Sequence, residues 1–111
     1  MNLLFICSKN RLRSPTAELV FSAYPGIEAI AAGLNADSTT PVSGDLIEWA
    51  DLILVMERSH QQKLNQRYSA LLKGKKVAVL GIGDRYAYMA PELIAILKRR
   101  VSKYLPRRVG Q

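Results

Sequence analysis

The sequence predicts an α/β fold, a small three-layer α/β/α sandwich on a four-stranded parallel sheet with strand order 2-1-3-4. Three observations predict it. Four short apolar runs, at 3–6, 28–32, 51–56 and 76–80, are continuous rather than alternating, as strands covered on both faces should be. Helical patterns fill the intervals between them, so the order is β-α-β-α-β-α-β-α, joined by right-handed crossovers. The chain has 111 residues against roughly 150 for a typical domain, so we expect one domain over 1–111, ending in a basic helix and tail from about 91.

Each helix has its own signals. Ser14-Pro15 should open the first, since serine can cap and proline fits the first helical position, with Leu19, Val20 and Ala23 on its buried face. It should stop before Tyr24-Pro25-Gly26. A short second helix over 42–50 places Val42, Leu46 and Trp49 on one stripe, where Trp49 reads as core. A third, from about 58 to 72, aligns Leu64, Tyr68 and Leu71, with Gly74 just beyond its end. The last runs from Pro91 to about Tyr104 and carries Leu93, Leu97, Val101 and Tyr104 on its apolar face.

Composition narrows the function classes. Apolar residues make up 49% and charged residues 23%, which argues against disorder and collagen-like repeats. The longest unbroken apolar runs, 3–7 and 52–56, are too short to cross a bilayer. The first residues do not read as a secretory signal, so we expect a cytoplasmic protein. Cys7 is the only cysteine, which leaves no internal disulfide or cysteine-based metal site. His60 is the only histidine and excludes a histidine metal cluster or a Ser-His-Asp triad; it reads as a packing or surface residue. No cofactor and no metal is implied.

The balance of 16 Lys+Arg against 9 Asp+Glu, net +7, favours anionic partners. Much of the excess lies in Lys98, Arg99, Arg100, Lys103, Arg107 and Arg108, which read as a solvated helix face and tail, with nucleic acid the less favoured reading.

In such sheets ligands bind beyond the carboxyl ends of the strands. There, Cys7-Ser8-Lys9-Asn10-Arg11-Leu12-Arg13-Ser14-Pro15 leaves a strand, turns and enters a helix, which is the setting of an anion-binding nest. A phosphate in the nest would face the positive end of the helix dipole, and Arg13 could offer it a planar two-pronged donor. Cys7 would feel the same field, exist as thiolate near neutral pH and be able to attack phosphorus. Alone, Cys7 would read as the last buried residue of a strand. The full string changes that reading.

This Cys-x5-Arg-Ser-Pro arrangement, with Asn10 inside it and Ala17-Glu18 after it, resembles the phosphate loop of low-molecular-weight protein tyrosine phosphatases. The likeness reappears in Asp51-Leu-Ile-Leu-Val-Met-Glu57. It implies Cys7 as nucleophile, Arg13 as clamp on phosphate and transition state, Ser14 as hydroxyl donor to the thiolate and Asn10 as the residue that pins the loop. Ser8, Lys9, Arg11 and Leu12 complete the substrate-binding loop. Lys9 stands where the family carries glycine, and Leu12 where many members carry a second cysteine, so oxidised Cys7 has no internal resolving thiol. Lys9 and Arg11 add charge at the mouth. Compared with larger relatives, the chain is trimmed between Gly33 and Asp51. Glu18 and Glu57 read as structural carboxylates near the loop.

Breaking an aryl phosphate also needs an acid for the leaving oxygen and a base for the incoming water, and one carboxyl can serve as both. Asp84, in Gly81-Ile82-Gly83-Asp84-Arg85-Tyr86, is the candidate, and Ile-x-Asp-x-Tyr resembles the family's general-acid loop. Arg85 replaces the family's proline and sets a cation beside the acid. Tyr86 and Tyr88 are candidates for the pocket rim. As an isolated residue, Asp84 would read as a turn-former. The start of a dinucleotide fingerprint at 77–83 lacks its third glycine, where Tyr86 stands, and is set aside.

The expected function is a metal-independent phosphate-monoester hydrolase, a protein phosphatase acting on phosphotyrosine or small aryl phosphates through a phosphocysteine. The alternative is a non-catalytic binder of phosphorylated or nucleic-acid ligands that uses the nest and the basic helix. Thioredoxin-linked arsenate reduction would need further cysteines, and a phosphocysteine carrier domain would not need Arg13.

Overall fold

The first strand, β1 (Asn2–Cys7), runs through the middle of the sheet, and all its residues from Leu3 onward are buried. The computed structural model describes residues 1–9 and 12–106, so Asn10 and Arg11 of the loop, and Arg107 and Arg108 of the tail, lie outside the described residues. After β1 come α1 (Arg13–Ser22), β2 (Glu28–Gly33), α2 (Gly44–Trp49), β3 (Leu52–Val55), α3 (Arg58–Tyr68), β4 (Lys76–Val79) and α4 (Pro91–Ser102). The strands are parallel and ordered β2-β1-β3-β4, as expected.

Strand alternation divides the core into two layers. Leu3, Phe5 and Cys7 share one with Ala17 and Phe21 of α1 and Leu93, Leu97 and Val101 of α4. Leu4 and Ile6 point the other way, into a layer with Ile47 of α2 and Leu64 of α3. Thus β1 delivers the side chain of Cys7 to the α1–α4 side.

The first helix departs from expectation at both its start and its face. It opens at Arg13, its N-cap is Leu12, and among the described residues no side chain caps it. Ser14 is a fully buried first-turn residue whose hydroxyl has no hydrogen-bond partner among the described residues. A helix start leaves its first amide groups without partners inside the helix, so an incoming anion rather than a serine cap can satisfy them. Leu19 is 53% exposed, while Ala17 and Phe21 are fully buried. Phe21 decides this register: it stacks on Phe5 with centroids 5.5 Å apart, and the residue four before it then faces inward too.

Ser43 caps α2 through Leu46 N–H, Ile47 is its fully buried residue, and Val42, Leu46 and Trp49 pack partly buried around that layer. Helix α3 is shorter than expected and passes into turns after Tyr68. The apolar face of α4 is as expected, with Tyr104 partly buried beyond its end.

Two ties shape the ground around Cys7. Glu18 Oε1 accepts from Ala31 N–H at 2.9 Å, so this carboxylate joins α1 to β2 rather than serving the loop. Gly33, paired with Cys7 in the sheet, lies so close to its neighbours that an added Cβ would come within 2.7 Å of Ser38 Cβ and 2.9 Å of the Ser8 carbonyl oxygen.

Candidate active site

The segments that follow β1 and β4 meet around an open cavity of about 230 Å³, lined by Cys7, Ser8, Lys9, Leu12, Arg13 and Asp84. Cys7 closes β1 and is 3% exposed. The two loops that the sequence singles out therefore converge.

Arg13 is the hub. It is 4% exposed, and its Nη1 donates to the Ile82 carbonyl at 2.8 Å and lies 3.1 Å from Glu57 Oε2. Its Nε stands 3.9 Å from Oδ1 of Asp84, whose side chain is 67% exposed. The guanidinium is thus pinned from the ends of β3 and β4 while it stays at the cavity wall. Five N–H donors in a rigid fork let one arginine meet these anchors and an anion together.

His60 was expected to be a packing or surface residue, yet it belongs to this site's support. It is 2% exposed, and its Nδ1 accepts from Glu57 N–H at 3.0 Å. An accepting Nδ1 leaves the ring proton on Nε2, which donates to Ser8 Oγ at 3.0 Å. Burial and the nearby Arg13 charge lower the His60 pKa from 6.5, so the ring is held neutral. The spacing of Glu57 and His60 at the start of a helix resembles a capping box and could have revealed their pairing; the contact with Ser8 had no sequence signal.

Other expectations divide. Ser8, Lys9 and Leu12 line the cavity as expected. Tyr86 is not among the described lining residues: it packs on the α1–α4 core layer, with the Arg85 guanidinium 5.2 Å from its ring centre and bonded to its hydroxyl. Tyr88 is 51% exposed and also stands outside the lining. Ser14 lies in the first turn beneath the loop, its hydroxyl not bonded to Cys7. Arg100, expected to be a solvated residue, instead donates to the carbonyls of Leu80 and Gly81, both at 2.7 Å.

Among the described residues no group of three or more His, Cys, Asp or Glu side chains could hold a metal ion, and no helix is long and apolar enough to cross a membrane.

No protein-family model matches the chain. It is 28% identical to a probable low molecular weight protein-tyrosine-phosphatase EpsP of Ralstonia nicotianae, over 138 aligned positions that cover 95% of this chain and 94% of the relative. An alignment longer than this chain means that the relative carries inserted segments. Among solved structures, the tyrosine phosphatase Wzb from Escherichia coli K30, bound to phosphate, matches with a TM-score of 0.72 at 21% identity, covering 93% of this chain and 94% of that one. A mutant of YwlE arginine phosphatase with a phosphorylated active-site serine matches with a TM-score of 0.73 at 23% identity, covering 96% and 97%. These structures speak for the fold, and the Ralstonia relative extends the likeness to sequence over nearly the whole of both chains. At 28% identity over nearly the whole of both chains, and with a Cys-x5-Arg-Ser-Pro string following its first strand, the chain is similar to low-molecular-weight protein tyrosine phosphatases.

Proposed function

We propose that the protein hydrolyses phosphate monoesters through a phosphocysteine intermediate, without a metal, and that protein phosphotyrosine is its substrate class. One observation carries this reading: Asp84, from the loop after β4, lines the same cavity as Cys7 and Arg13, which bound the loop after β1.

The chemistry follows from that placement. The Cys7 thiolate attacks phosphorus; the S–P bond forms as the bond to the leaving oxygen breaks, and Asp84 gives that oxygen its proton. The Asp84 carboxylate then takes a proton from water as the water oxygen attacks phosphorus, releasing inorganic phosphate and the thiolate. Arg13 and the amides at the start of α1 hold the equatorial oxygens, over which the charge of the transition state is spread. Pinning by Glu57 and Ile82 means that Arg13 need not reorganise as the reaction proceeds.

The test is hydrolysis of para-nitrophenyl phosphate in EDTA by the wild type and by Cys7→Ser, Arg13→Ala and Asp84→Asn. Turnover that survives EDTA, vanishes in the first two variants and falls in the third supports the mechanism. Absent wild-type turnover with retained vanadate binding would favour the non-catalytic reading, in which the nest and basic helix bind a phosphorylated or nucleic-acid ligand. Because one structural neighbour is an arginine phosphatase, phosphotyrosine and phosphoarginine peptides should be compared side by side.

A further inference from the structure

The loop between β4 and α4 carries Asp84 and would be expected to wander, because Gly81 and Gly83 flank Ile82 and most of its residues are exposed. It is held at both ends instead. At its start, Arg100 takes the carbonyls of Leu80 and Gly81, Arg13 takes the carbonyl of Ile82, and Ile82 N–H donates to Met56 O at 2.8 Å. At its far end, Met89 N–H donates to Thr16 Oγ1 at 3.0 Å.

Thr16 has a second bond. Its hydroxyl donates to the Leu12 carbonyl at 2.6 Å, the last loop residue before α1 begins, and Thr16 is fully buried. One oxygen thus accepts from the acid-bearing loop and donates to the phosphate loop, and both bond directions are fixed by the chemistry of an amide and a carbonyl. Met89 has φ 59°, a left-handed conformation and the only positive φ of a non-glycine residue among those described. A methionine does not rest there without support, and the bond to Thr16 supplies it. Bonding back to the carbonyl four residues earlier is a habit of helical threonine, and its branched Cβ limits the rotamers available to the hydroxyl.

We propose that Thr16 is a positioning residue that couples the two loops, holding Asp84 over the leaving-group side of the cavity when Cys7 and Arg13 engage phosphate. This rests on the phosphatase reading above and assigns a role that neither loop motif contains. The proton moved is the carboxylic proton of Asp84, transferred to the leaving oxygen as its bond to phosphorus breaks. A leaving group that is stable as an anion has little need of that proton; a poor one depends on it.

The experiment measures kcat/KM for aryl phosphates with leaving groups from phenol through para-nitrophenol to 2,4-dinitrophenol, in the wild type, Thr16→Val, Thr16→Ser, Asp84→Asn and the Thr16→Val/Asp84→Asn double variant. Thr16→Val is expected to lose about tenfold or more with phenyl phosphate and less than about twofold with dinitrophenyl phosphate. Thr16→Ser should keep most of the wild-type profile. In the Asp84→Asn background the valine substitution should add almost nothing, since it acts through the missing acid. An equal loss with every leaving group, or full additivity with Asp84→Asn, would overturn the coupling and leave Thr16 a packing residue. If Thr16→Val fails to fold, Thr16→Ser against Thr16→Ala decides the same question, with vanadate affinity reporting an intact phosphate loop. A wild type that hydrolyses none of the series overturns the phosphatase reading itself, a result distinct from uniform loss in the variant.

Discussion

Arg13 and Glu57 form an ion pair of 3.1 Å between Nη1 and Oε2, with the arginine side chain 5% exposed and the carboxylate 40% exposed. The pair joins the start of α1 to the end of β3, and the same arginine nitrogen also holds Ile82. Orientation of the guanidinium is thus set from the ends of β3 and β4 and not by its own helix alone.

Glu57→Gln keeps the shape and removes the charge. With Ile82 still in place the arginine remains near its site but loses its aim, so kcat/KM toward aryl phosphates should fall about tenfold, as expected for a misplaced positioning group. Steady-state kinetics together with the inhibition constant of inorganic phosphate check this, and phosphate should weaken in parallel. An unchanged phosphate constant would mean that Glu57 does not set the clamp.

Gly33→Ala should weaken both fold and site. Its new methyl would press on Ser38 and on the Ser8 carbonyl, which also accepts from Ser38 Oγ at 3.1 Å and from Asn35 N–H at 2.8 Å. We expect a stability loss of about 1–3 kcal/mol from overpacking, read by urea unfolding, and a raised KM. Adding Ser38→Gly should restore part of the stability and little of the KM, because the contact with Ser8 remains.

The His60 pKa, lowered by burial and by Arg13, makes stability depend on pH in a definite direction. The folded ring resists a proton that the unfolded chain accepts below about 6.5, so unfolding is favoured progressively as pH falls. Protonating Nδ1 would also break its bond from Glu57 N–H. Thermal unfolding between pH 7.5 and 5.5 should show the wild type losing stability steadily toward acid, while His60→Gln, less stable at pH 7.5, follows a flatter line.

Phe21→Ala and Leu19→Ala separate the two readings of the first helix. Phe21 is fully buried, stacked on Phe5 and 4.9 Å from the ring centre of Tyr24, so its truncation should cost about 3–5 kcal/mol. Leu19 is 53% exposed, and its truncation should stay within about 0.5 kcal/mol. Equilibrium denaturation of the two variants is sufficient.

The strands, their order and the convergence of the site on β1 were legible because continuous apolar runs and a strand-turn-helix motif are local patterns. The face of α1 was not: Leu19, Val20 and Ala23 look as apolar as Ala17 and Phe21, and only the partner ring of Phe5 chooses between them. Cys7, Arg13 and Asp84 stood out by chemical type and spacing. Ser8 to His60, Thr16 to Met89 and Arg100 to Leu80 did not, because each joins residues far apart in sequence through one hydrogen bond, and in the last two the partner is a backbone group that any residue carries. Its position beside Asp84 in sequence points Tyr86 to the rim, yet it packs partly buried against the core.

The alternation of β1 has an evolutionary corollary. Leu3, Phe5 and Cys7 share one side and Leu4 and Ile6 the other, and both sides are equally greasy. Sliding the strand by one position would leave its burial almost intact while turning the sulfur away toward α2 and α3. Such a lineage could drift freely through substitutions among aliphatic residues here, but a one-residue insertion or deletion between Leu3 and Cys7 would yield a protein that still folds and has lost its nucleophile. Descendants without activity should therefore be sought among length variants of this strand as well as among those that have replaced the cysteine.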